Sequence, residues 1–116
     1  MVSDNQIRQV AAQLGSAANA SEVILFGSYA RGEATDGSDV DLMVVAETDL
    51  PRHKRAVPLY KQFRPYPCGM DIVVYTPREV EEARKSNLTF VSAVLREGRK
   101  LYERTDASGQ AMAGQS

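Results

Sequence analysis

Two short apolar runs separated by a polar loop constrain this chain more than any other feature. "VILFGS" (Val23–Ser28) and "DVDLMVVA" (Asp39–Ala46) are rich in β-branched residues, and ten residues heavy in Gly and charge lie between them. Runs this short, bounded by turn residues, read as buried strands rather than helices. The second run is continuously apolar instead of alternating, which predicts a central strand covered on both faces. Yet it opens on two carboxylates. Residues two apart on a strand share a face, so Asp39 and Asp41 project together while Val40 points away.

The flanking sequence supplies the other elements. Ser3 followed by Gln6 forms a capping-box pattern, and Ile7, Val10, Ala11 and Leu14 recur at helical spacing, with Gly15 as the expected stop. Residues 50–64 carry Val57, Leu59, Tyr60 and Phe63 among basic residues and predict a helix kinked or split at Pro58. "RPYPCG" is a loop by its Pro and Gly content, and "MDIVVYT" (Met70–Thr76) is a third strand. Thr76, Pro77 and Glu79 then mark a helix start, and apolar positions from Val80 to Leu95 predict one long helix ending at Gly98. "RKLYE" adds a short edge strand. The resulting class is α+β, a small mixed sheet covered by helices. At 116 residues there is room for one core, taken as residues 1–104, with residues 105–116 expected to be a disordered tail for want of large apolar side chains.

Composition excludes several classes. A net charge of −1 leaves no basic footprint for tracking a nucleic-acid backbone, so no direct nucleic-acid binding is expected. Cys68 is the one cysteine and His53 the one histidine, which rules out an internal disulfide and a multi-histidine metal centre. The amino terminus lacks the basic start and apolar core of a signal peptide, and no apolar run nears the roughly 20 residues of a spanning helix. No membrane association and a cytoplasmic location are therefore expected. The basic run "RHKR" (Arg52–Arg55) reads as a solvated helix face or a contact for an acidic partner.

The chemistry gathers around the opening loop. Asp71 lies near the start of the third strand, as Asp41 lies near the start of the second. If those strands are neighbours with the same ends together, three carboxylates approach one another. Two carboxylates about 4 Å apart repel by roughly 4 kcal/mol at an effective dielectric near 20. A divalent cation offsets such a cost, and all-oxygen donors favour magnesium or manganese over zinc. Gly27 lets the backbone approach a ligand closely. Ser28 is a natural N-cap for a short helix through Tyr29, Ala30 and Arg31, whose free N–H groups favour an anion. Arg31 suits either a phosphate or a carboxylate such as Glu33 or Asp36.

The segment "GSYARGEATDGSDVD" resembles the Gly-Ser, ten residues, Asp-x-Asp signature of the nucleotidyltransferase superfamily, which includes DNA polymerase beta and the aminoglycoside nucleotidyltransferases. The short length, "GSYARG" and "DVDLMVV" look most like its minimal members, the MNT domain proteins. The resemblance spans about residues 20–104 and implies an αβαβαβ nucleotidyltransferase fold. It implies magnesium on Asp39 and Asp41, with Asp71 as the third carboxylate and candidate base, and a triphosphate against Gly27, Ser28 and Arg31. The implied reaction moves a nucleoside monophosphate, AMP from ATP foremost, onto a hydroxyl. Minimal members are similar to one half of a two-gene pair, so the resemblance also implies an antitoxin whose partner and acceptor is a HEPN-domain toxin. Two other roles stay open on the residues: a non-catalytic antitoxin that acts by binding, and a small-molecule nucleotidyltransferase.

Overall fold

A computed structural model describes residues 1–104; the expected tail lies outside them. The chain runs α1 (Asp4–Ala18), β1 (Glu22–Phe26), α2 (Gly27–Arg31), β2 (Val40–Val45), a 3-10 turn (Arg52–Lys54), α3 (Val57–Tyr60), β3 (Met70–Tyr75), α4 (Pro77–Arg84), α5 (Phe90–Glu97) and β4 (Arg99–Glu103). The four strands form one mixed sheet in the order β3-β2-β1-β4. β2 pairs in parallel with β3 and antiparallel with β1, and β4 closes the far edge against β1.

The continuous hydrophobicity of β2 follows from its central place. Val40, Leu42 and Val44 enter one core with Ile7, Val10 and Leu14 of α1 and Leu59 of α3, whereas Met43 and Val45 enter a second with Val80 and Ala83 of α4 and Val91 and Val94 of α5. Period-two alternation thus feeds two cores from one strand, each covered by helices. Core side chains such as Leu42, Met43 and Val44 are fully buried, and burial of one such side chain stabilises the fold by roughly 1.5–3 kcal/mol.

Three expectations are corrected. Gly15 does not stop α1. The helix continues to Ala18 and Asn19 caps it in the left-handed region, with its N–H on the carbonyls of Gly15 and Ser16. Gly15 serves packing instead, since a Cβ there would strike the ring of Tyr102 on β4. The long helix over residues 77–97 is two helices. α4 ends at Arg84 and α5 restarts under a second capping box, in which Thr89 Oγ1 accepts from Ser92 N and Ser92 Oγ accepts from Thr89 N. The 50–64 segment is split, as expected, into the 3-10 turn and α3, and Pro58 lies in the first turn of α3, where its missing N–H costs nothing. "RHKR" is a solvated face only in part: Arg52, His53 and Lys54 are exposed, whereas Arg55 is largely buried and donates to Glu79 at 2.7 Å, with Arg52 donating to the other carboxylate oxygen at 3.1 Å. The guanidinium of Arg55 holds the Glu79 carboxyl down to about 2. Among the described residues no helix is long and apolar enough to cross a membrane.

Candidate active site

Gly27 leaves β1 with φ +74°, a left-handed conformation that glycine adopts without steric cost. That turn starts α2 at Gly27 itself. Ser28 is therefore inside the helix, not its N-cap; Phe26 holds that position and no side-chain hydrogen bond caps the helix. The end of β1 is built from a glycine turn rather than a serine cap. β1 thus stops at Phe26, two residues short of the predicted strand.

The register of the parallel pair brings the carboxylates together. Asp41 of β2 stands directly beside Asp71 of β3, and Asp39 precedes β2 by one residue. Asp41 and Asp71 share the face of the sheet that carries Met43, Val45, Val73 and Tyr75. Two glycines make room for the acids. A Cβ on Gly27 would fall on Oδ2 of Asp41, and one on Gly69 would fall on Oδ1 of Asp39.

The electrostatics follow from this crowding. Asp41 is half-buried while Asp39 and Asp71 are exposed. Burial pushes the Asp41 carboxyl above its ordinary value, the negative charges of Asp71 and Asp39 push it further, and Arg31 opposes them. Arg31 closes α2 and donates from Nε to Glu33 at 2.9 Å on the exposed surface. Glu33 accordingly raises the pKa of the Arg31 guanidinium. Cys68, half-buried nearby, has its thiol pushed up by burial, which disfavours the reactive thiolate.

The donor set fits a hard divalent cation: all-carboxylate oxygens, one of them destabilised by its like-charged neighbours, with backbone kept clear by glycine. Among the described residues no three His, Cys, Asp or Glu side chains already stand in closed metal-ligand geometry. The acids share one end of the sheet without converging on a single point, so drawing them onto an ion requires side-chain rotation.

Sequence reading missed the surroundings. Phe90 at the start of α5 packs edge-on against Phe26, the cross-strand neighbour of Asp41, at 5.4 Å between centroids, and lies 6.4 Å from the ring of Tyr75. On one side of Phe90 a hollow of about 270 Å³ is walled by Phe26, Gly27, Arg31, Val94 and Glu97. On the other, a groove of about 540 Å³ runs between Tyr75, Arg78, Glu82 and Val91. Arg52 lies 5.1 Å over the Tyr75 ring beside this groove. Tyr60 was also missed as more than a packing residue. Its hydroxyl accepts from Ile72 N at 2.8 Å, and burial raises its pKa. No local pattern announces these groups, because each depends on segments distant in sequence.

Comparison with known proteins agrees with the geometry. The family described as "Nucleotidyltransferase domain" matches residues 5–107. A Methanocaldococcus jannaschii protein named "Putative protein adenylyltransferase" is 38% identical over 83 residues, 70% of this chain and 77% of its own length. A second protein of that name from the same organism is 37% identical over 90 residues, 71% of this chain; the match spans little more than half, 58%, of that relative. In fold, the chain is similar to a crystal structure of a "putative nucleotidyltransferase" from Sulfolobus solfataricus, with a TM-score of 0.59 and 21% identity, over 84% of this chain and 77% of the other. A glycine turn followed by in-register carboxylates on a mixed sheet, together with a family match over most of the chain, gives its assignment: it belongs to the nucleotidyltransferase domain family and is a nucleotidyltransferase.

Proposed function

We propose that this protein transfers AMP from ATP to a hydroxyl of a protein acceptor in a magnesium-dependent reaction. The observation that carries the reading is the register that sets Asp41 beside Asp71, with Asp39 just before them and Gly27 clearing the space beside Asp41. Asp39, Asp41 and Asp71 would hold the cation, magnesium or in its place manganese. A bound divalent cation supplies charge neutralisation for attacking and leaving oxygens. Gly27, Ser28 and Arg31 border the triphosphate from α2. The acceptor oxygen attacks the α phosphorus in line, the bond to the departing pyrophosphate breaks, and Asp71 takes the hydroxyl proton.

The choice of AMP and of a protein acceptor is supported by the names of the two relatives. The choice of partner is supported by the resemblance of "GSYARG" and "DVDLMVV" to MNT domain proteins: a HEPN-domain toxin, modified on a tyrosine, with this chain as its antitoxin in the cytoplasm. Intact-mass spectrometry of a purified HEPN partner after incubation with this protein, ATP and magnesium tests it. Mass increments of whole AMP units, lost with the double variant Asp39→Asn/Asp41→Asn, are expected. A partner that is bound and inhibited without any increment would replace this reading with an antitoxin acting by contact. AMP transfer to an aminoglycoside without any protein acceptor would replace it with a small-molecule enzyme.

A further inference from the structure

Among the described residues β3 is an edge strand, with β2 on one side and no strand on the other. An edge leaves every second set of backbone groups without a ladder partner. On the open side of β3 those groups include the carbonyl of Met70 and the N–H of Ile72, which bracket Asp71. The hydroxyl of Tyr60 reaches both, accepting from Ile72 N at 2.8 Å and donating to Met70 O at 3.4 Å. A residue of a parallel neighbouring strand would bracket Asp71 in the same way, donating to the carbonyl before it and accepting from the N–H after it. One phenol thus replaces the missing strand at a single position.

That position matters because the Asp71 carboxylate makes no hydrogen bond or ion pair with any other described residue. Its place is set by its backbone alone: β2 fixes one side and Tyr60 the other. Tyr60 is itself held. It closes α3 beside the buried Leu59, packs against the first core, and meets Tyr66 edge-on at 6.1 Å. We infer that Tyr60 is a positioning residue for Asp71, its hydroxyl pinning residues 70–72 so that the third carboxylate faces Asp41. The inference rests on the reading that these carboxylates hold a divalent cation, and groups that orient a ligand are about as consequential for affinity as 10–100-fold.

The test uses the full chain and Mn²⁺ alone as probe, with free Mn²⁺ followed by electron paramagnetic resonance and backbone amides by hydrogen exchange. Tyr60→Phe removes only the hydroxyl. It is expected to weaken Mn²⁺ binding about tenfold and to speed exchange at Ile72. Val74→Ala deletes buried methyl groups from the same strand and leaves the hydroxyl in place. It is expected to lower the melting temperature at least as far as Tyr60→Phe, with Mn²⁺ affinity within about twofold of the wild type. Equal Mn²⁺ affinity in Tyr60→Phe and wild type would overturn the positioning role alone. So would equal weakening by Val74→Ala, which would mark the effect as one of general stability. A wild-type chain that does not bind Mn²⁺ would overturn the metal reading, and this role with it.

Discussion

Gly27 and Asp41 lay claim to the same space: a Cβ on the glycine would coincide with Oδ2 of the aspartate. The glycine that turns the chain from β1 into α2 is therefore also the floor under the most buried carboxylate of the site. Gly27→Ala combines a left-handed φ, which costs an L-residue roughly 1–2 kcal/mol, with displacement of that carboxylate. Thermal denaturation should register the loss of stability. Nucleotidyl transfer by the same variant should fall further than the loss of folded protein explains.

Asp41 is held in a setting that disfavours its charge. Its folded-state pKa is raised by burial and by Asp71 and Asp39, so its ionised form is disfavoured by folding. The resulting penalty is full above the raised pKa and is relieved as pH falls through it toward the unfolded value of 3.8. Asp41→Asn is expected to raise the metal-free melting temperature at neutral pH and to leave it little changed at acid pH. The same substitution should lower the turnover rate about 10³-fold, the equivalent of roughly 4 kcal/mol of lost transition-state stabilisation. Calorimetry at two pH values beside a transfer assay checks both halves.

Glu79 behaves in the opposite sense. Arg55, with Arg52 and the Thr76 N–H, depresses its carboxyl from 4.5 to about 2. Such a group stabilises the fold above its unfolded pKa, and that contribution is lost as pH falls from 4.5 toward about 2. Glu79→Gln should cost about 1–2 kcal/mol at pH 7 once solvent screening of the exposed Arg52 side is counted. Urea denaturation from pH 7 down to 2.5 should show the wild type converging on the variant as acid removes the difference.

Thr89 controls where α5 begins and hence where Phe90 stands. Its hydroxyl accepts from Ser92 N at 3.0 Å. Thr89→Ala should cost about 1 kcal/mol and loosen the edge contact of Phe90 with Phe26. Ring-current shifts of the Phe26 protons in an NMR spectrum would record that loosening, while the Asp41 environment should change little.

What the sequence made legible was whatever depends on short range. The continuous apolar run of β2 and the spacing from Gly27-Ser28 to Asp39 and Asp41 identify strands, loop and carboxylates without any tertiary information. The capping box at Thr76 does the same for α4. The failures share a cause in contacts between distant segments. Val80 and Ala83 of α4 and Val91 and Val94 of α5 bury against one core, so their spacing mimics a single helix across a break. α1 runs through Gly15 to the left-handed cap at Asn19, and the glycine's role, clearance for the ring of Tyr102, depends on β4. Ser28 lost its capping place to the positive φ of Gly27, which starts the helix two residues early. Tyr60 is chemically placed only because β3 is an edge, a fact of topology. The positions of Asp39, Asp41 and Asp71 were readable as a group, and Gly27 as a glycine beside them; the room that Gly27 and Gly69 leave for the carboxylates, and the phenol of Tyr60, were not.

The most direct measurement follows the fate of ATP labelled at the α or the γ phosphorus when this protein, magnesium and a HEPN acceptor are combined. The account predicts that α label becomes bound to the acceptor, that γ label leaves as pyrophosphate, and that Asp39→Asn/Asp41→Asn abolishes both. Acceptor labelled from the γ position, or α label transferred undiminished by the double variant, would contradict nucleotidyl transfer at these carboxylates.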